Sequence, residues 1–176
     1  MKFCTKTLTT LCFAFLLTSC GGERVVKSAD AAKIAEGLSF SNTNIVSGVE
    51  KSKLTSSTIE GGLNSYAQKE LNTFSSEEKT NEINNPSDYM VSSKTIKLMG
   101  DKNTIYKVNG TAITIEDTYI QTTLITPINY VKDIETYYYA SNGMLEKLVL
   151  ESTHGFVDGS YYTATWENIY SWVVSK

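Results

Sequence analysis

Apolar residues run unbroken from Leu11 to Leu17, recur at spacings of three and four from Ile59 to Phe74, and alternate with polar residues from Ile105 onward. The middle pattern predicts a helix over about Ser57 to Phe74, with Ile59, Leu63, Tyr66, Ala67, Leu71 and Phe74 on one stripe that only Glu70 interrupts. Gly61-Gly62 lies inside it, at a cost of about 1 kcal/mol per glycine relative to alanine. A shorter helix is predicted from Ser28, an N-cap type, through Glu36, with Gly37 as its stop. Leu38 to Phe40 and Ile45-Val46 read as strand, and Ser75 to Ser93, without any apolar period, reads as a long surface loop.

Beyond Lys94 the period is two. Ile105 to Val108 and Thr111 to Ile115 flank Asn109-Gly110, a strong hairpin turn signal; Ile134 to Ala140 and Met144 to Glu151 flank Asn142-Gly143 in the same way. Thr118 to Ile125 lies between them, and Asp158-Gly159 leads into a last strand from Tyr161 to Val174. In that strand Tyr162, Ala164, Trp166, Tyr170, Trp172 and Val174 define one apolar face. The predicted fold class is α+β: an antiparallel, meander-like β-sheet of about six or seven strands, flat or curled into a half-barrel, with one or two N-terminal helices packed on one face.

The unbroken apolar run changes the picture at the N-terminus. It follows Lys2 and Lys6 and is too short to cross a membrane, which takes about 20 apolar residues, so it reads as the core of an export signal. Directly after it stands Leu17-Thr18-Ser19-Cys20, which resembles the lipobox of bacterial lipoproteins. That resemblance implies that Cys20 receives a diacylglycerol and acyl chains such as palmitate, and that the chain is cut before it. Two or three acyl chains, at about 0.8 kcal/mol per buried methylene, hold a protein durably to a bilayer. The expected organisation is a signal peptide over 1–19, a lipidated tether over 20–28 and a single domain over 29–176, lipid-anchored and extracytoplasmic at the bacterial cell membrane or outer membrane.

Cysteine usage and charge then narrow the chemistry. All three cysteines, Cys4, Cys12 and Cys20, precede the domain, so it has no thiol for a disulfide, a zinc–thiolate site or a nucleophile. With Lys2 and Lys6 removed, fourteen basic residues face nineteen acidic ones, a net charge of −5 without a basic cluster, which argues against nucleic acid as a partner. The single histidine, His154, is read as structural in a turn beside Gly155; no nucleophile elbow accompanies it. Glu116-Asp117 point to opposite faces of a strand, whereas Asp133 and Glu135 share one and are read as edging the sheet in solvent. No metal or other cofactor is expected.

Eleven tyrosines, with Tyr137-Tyr138-Tyr139 on one strand and Tyr161-Tyr162 on another, make Tyr137, Tyr139 and Tyr161 the candidate ligand or partner surface. The expected role is a non-enzymatic binding or interaction domain of the bacterial envelope, held to its membrane through the lipid on Cys20 and meeting a protein or an apolar ligand. Its outline is similar to half-barrel carrier lipoproteins and their LolA-like relatives, a resemblance that implies an apolar cavity for lipid or lipoprotein. The remaining alternative is an envelope hydrolase using carboxylates.

Overall fold

Long stretches of β-branched and aromatic residues broken by glycine-containing turns favour paired strands over helices, and strands dominate the computed structural model. It describes residues 24–27, 29–31, 33, 45–89, 104–120, 127–140 and 142–175. The elements are β1 (Arg24–Val26), β2 (Ile45–Glu60), α1 (Tyr66–Leu71), β3 (Lys79–Ile83), a 3-10 turn (Pro86–Tyr89), β4 (Ile105–Asn109), β5 (Ala112–Ile120), β6 (Ile128–Tyr139), β7 (Leu145–Phe156) and β8 (Tyr161–Val174). They form one antiparallel sheet in the order β1-β4-β5-β6-β7-β8-β2-β3. The sheet is open, with β1 and β3 at its edges.

The meander from β4 to β8 agrees with the alternating pattern; the class does not. Among the described residues the protein is mostly β, with eight strands rather than about six or seven and only short helices. Of the expected helix from Ser57 to Phe74, residues up to Glu60 complete β2 and only Tyr66–Leu71 is helical; Leu63, placed on the buried stripe, is 92% exposed. Gly61 at φ 130° and Asn64 at φ 65° lie outside helical space and separate the two. A Cβ at Gly61 would also stand 2.6 Å from Ser160 Cβ, so the bend depends on glycine. The expected loop over Ser75 to Ser93 contains β3 and the 3-10 turn. Ala29 to Ala31 and Lys33 are helical, as expected of the first helix; its remainder and the segment Leu38 to Phe40 lie outside the described residues.

Turn chemistry sets the hairpins. In the first, Asn109 pairs with Ala112, so the loop is Gly110-Thr111, one residue later than the Asn-Gly pair implies, with Gly110 at φ 58°. The β7–β8 loop closes through Phe156 N–H to Ser160 C=O and Gly159 N–H to Phe156 C=O, and Gly159 takes the left-handed conformation, φ 80°.

One face of the sheet is covered at both ends. At one end Ala31, Ile83, Tyr106, Ile113, Ile115, Tyr139, Leu145 and Tyr170 pack together; at the other, Ala67 of α1 meets Phe156, Tyr162 and Ala164, flanked by Leu54, Ile59, Leu71, Phe74 and Trp166. A bulge between Leu54 and Ser56 in β2 explains how residues five apart both reach this second cluster. Strict alternation would send Leu54 and Ile59 to opposite faces; the extra residue brings both inward, opposite Trp166 and Tyr162. The β7–β8 turn seats α1: Asp158 Oδ2 accepts from Tyr66 N–H at 3.0 Å, Ser160 Oγ from Ala67 N–H at 3.2 Å, and Ser65 Oγ from Gln68 N–H at 3.2 Å.

Candidate functional site

Between the two apolar clusters the covered face turns polar. Alternation along β6 places Val131, Asp133, Glu135, Tyr137 and Tyr139 inward, and registers with β5 and β7 add Asp117, Leu150, Ser152 and His154 to the same face. From β8 come Tyr162, Trp166 and Asn168, from β2 Ser52, and from α1 Glu70 and the following Phe74. All of these except Asp117, Val131, Tyr137 and Tyr139 bound a groove of about 530 Å³, open to solvent and within the size range of small-ligand sites, roughly 300–1,000 Å³.

Among the described residues each acid on this face accepts from a neutral donor. Ser152 Oγ donates to Asp133 Oδ1 at 2.5 Å, Tyr162 OH to Glu70 Oε1 at 3.2 Å, and Tyr137 OH to Glu135 Oε2. Nearby, Thr104 Oγ1 donates to Asp117, while Tyr170 OH and Asn81 Nδ2 donate to the two oxygens of Glu50. Burial first, and then the adjacent carboxylates, raise the Tyr137 and Tyr162 hydroxyls well above the usual phenol range, so both remain protonated donors. His154 Nδ1 stands 3.5 Å from Glu70 Oε1; neither it nor Asn168 Oδ1, both shielded from solvent, has a hydrogen-bond partner among the described residues. The imidazole lies 5.0 Å from the Tyr162 ring. Phe74 packs its ring edge-to-face with Tyr162 and Trp166, at 5.4 and 5.2 Å, forming an aromatic wall.

Two expectations about these residues are corrected. Asp133 and Glu135 lie in the middle of the sheet, on a strand flanked by β5 and β7, not at a solvent edge. His154 sits inside β7, opposite Val131 and Tyr162, not in a turn. Ser152 Oγ donates its hydrogen bond to Asp133 rather than to His154, so these residues do not form a nucleophilic relay. Among the described residues no group of three His, Cys, Asp or Glu is placed to hold a metal ion.

The three candidate tyrosines do not converge. Tyr139, 6% exposed, is part of the first apolar cluster, and Tyr137 stacks on it at 6.3 Å while donating to Glu135. Tyr161, 38% exposed, lies at the start of β8 on the opposite face, across from Glu60 of β2. Cys20 lies outside the described residues. The groove residues carried two sequence signals: Asp133 and Glu135 sharing one face of a strand, and Glu70, the only charge on an otherwise apolar stripe. No protein-family model matches the chain, and neither does any curated protein or any solved structure.

Proposed function

We propose that this protein is a lipid-anchored, extracytoplasmic binding domain of the bacterial envelope that takes its ligand into the groove between the two apolar clusters, without catalysing its conversion. The groove carries the reading: an open, aromatic-walled space on the covered face whose acids are oriented by Ser152, Tyr137 and Tyr162. The anchor rests on the resemblance of Leu17-Thr18-Ser19-Cys20 to a lipobox. An apolar cargo of the half-barrel carrier type is disfavoured, because the apolar parts of the described face are filled by the protein's own side chains. A protein ligand approaching through Tyr161 would use the other face.

Two measurements test the proposal. A Cys20→Ala variant should leave the membrane fraction; if it stays, the anchor is wrong. Screening the full-length chain with small polar molecules by amide chemical shifts should give responses centred on Ser152, His154 and Trp166 that a Trp166→Ala variant loses. Responses confined to other surfaces would remove the groove from consideration. The second reading, an envelope hydrolase, is favoured only by Asp133 and Glu135 sharing the groove. It requires turnover that Asp133→Asn abolishes at unchanged melting temperature.

A further inference from the structure

The groove is unlike the rest of the sheet in how it treats charge. On the outward face Glu116 pairs with Lys107 at 3.4 Å and with Lys132 at 2.7 Å, and Glu167 pairs with Lys147. In the groove, Glu70, Asp133 and Glu135 meet no lysine or arginine among the described residues, and the lining includes neither residue type. Their protein partners for hydrogen bonding are hydroxyls, which fix each carboxylate in place and leave its charge intact. Among the described residues one oxygen of each has no donor: Glu70 Oε2, Asp133 Oδ2 and Glu135 Oε1. The adjoining wall of Phe74, Tyr162 and Trp166 supplies ring quadrupoles that attract a positive charge within about 6 Å.

Acids without a lysine or arginine partner among the described residues, with only His154 beside Glu70, stand oriented in advance next to aromatic rings in a space of small-ligand size and are complementary to one chemistry. Building on the proposal that this groove is the ligand site, we infer that it takes an organic cation, an ammonium or guanidinium head on a short aliphatic stem. The head bonds Asp133, Glu135 and Glu70, and the stem lies along Trp166 and Phe74. Attraction of this kind weakens as ionic strength rises, because the groove is open to solvent.

The chain has two tryptophans, and Trp172 packs in the first cluster with its indole N–H on Leu145 C=O, so a Trp172→Phe background leaves Trp166 as the reporter in the groove. In that background the full-length chain is titrated with cadaverine, agmatine, pentanediol and maltotriose while Trp166 emission is followed. Saturable responses to cadaverine or agmatine, at least tenfold weaker with pentanediol, support the inference. So does at least a tenfold loss of amine affinity in the Asp133→Asn, Glu135→Gln double variant, with no fall in melting temperature. Equal binding of the diol, undiminished amine binding in the neutralised variant, or no response to either amine overturns it. Saturation by maltotriose alone also overturns it while leaving the groove as a binding site, so failure of the cation and failure of the groove give different results. Competition for cadaverine by a lysine-containing tripeptide of higher affinity supports the same head group and places it on a peptide.

Discussion

The two faces of β6 differ more than any two elements of this protein. Lys132 points outward and joins Glu116 and, through it, Lys107; the next residue, Asp133, points inward, opposite Asp117 and without a counter-ion among the described residues. Outward threonines pair as Thr114 with Thr136 at 3.1 Å and Thr153 with Thr163 at 2.8 Å, cross-strand hydrogen bonds that support the sheet. Inward, like charges sit directly across from one another, an arrangement that costs about 0.2–1 kcal/mol in an antiparallel pair. The lesson is that the outward charges are arranged to stabilise the sheet, whereas the inward ones are arranged at its expense, as binding sites commonly are.

The largest expected effect breaks the inward side. Tyr162 is 1% exposed, packs against Phe74 and Phe156, and donates to Glu70. Tyr162→Ala should lower unfolding free energy by about 3–5 kcal/mol through the cavity alone, measured by urea denaturation. It also removes the hydroxyl from Glu70, so α1 should lose amide protection before the sheet does. Tyr162→Phe separates the terms: it keeps the ring and costs only about 1 kcal/mol for the hydrogen bond.

The outward side should respond with the opposite sign to neutralising an acid. Glu116→Gln should lower stability by about 1 kcal/mol, because the carboxylate is mostly buried between two lysines. The hydrogen bond from Lys132 is the main reason the Glu116 carboxyl lies below its ordinary 4.5, opposed by partial burial and helped by Lys107. A carboxyl lowered on folding stabilises above its unfolded pKa and loses that contribution as pH falls through the folded value. Lys132, raised above 10.5 first by the hydrogen bond to Glu116, stabilises below its unfolded pKa and loses that contribution as pH rises through the raised value. The gap between wild type and Glu116→Gln should therefore be widest from mildly acidic to mildly basic pH and close at both extremes, as equilibrium denaturation across pH would show. Asp133→Asn, by contrast, should raise stability by about 0.5 kcal/mol by relieving repulsion from Asp117, while Ser152 still finds an oxygen acceptor. A melting temperature that falls in Asp133→Asn would erase the distinction between the faces.

Legibility in the sequence follows the same division. The meander was readable because outward and inward residues differ in polarity along most of β8, where Tyr162, Ala164 and Tyr170 are all buried and only Asn168 breaks the inward row before Tyr170. β3 was not readable: it is an edge strand with only Ile83 buried, so its exposed residues carry no alternation. The false helix over Ser57 to Phe74 arose because the β2 bulge shifts Ile59 by one position, and the shifted apolar residue falls on a helical period with the true helix that follows. The groove was half legible. Asp133 and Glu135 visibly share a face, but Ser52 joins them only because β2 crosses to pair with β8, a long-range event that local pattern does not encode.

The smallest expected effect sharpens the comparison within the outward face itself. Lys147 pairs with Glu167 and stands 5.4 Å over the Tyr138 ring, yet its side chain is 40% exposed against 32% for Lys132, and Glu167 is 30% exposed against 15% for Glu116. Solvent screens such a pair, and ordering two long side chains offsets much of the attraction, so Lys147→Met should cost about 0.2–0.5 kcal/mol. Added salt should shrink that difference further, while the Glu116→Gln difference, protected by burial, should persist. Denaturation of both variants at low and high ionic strength measures this. If the two lose stability equally and with the same salt dependence, charge placement on the outward face is governed by sequence neighbourhood rather than by depth.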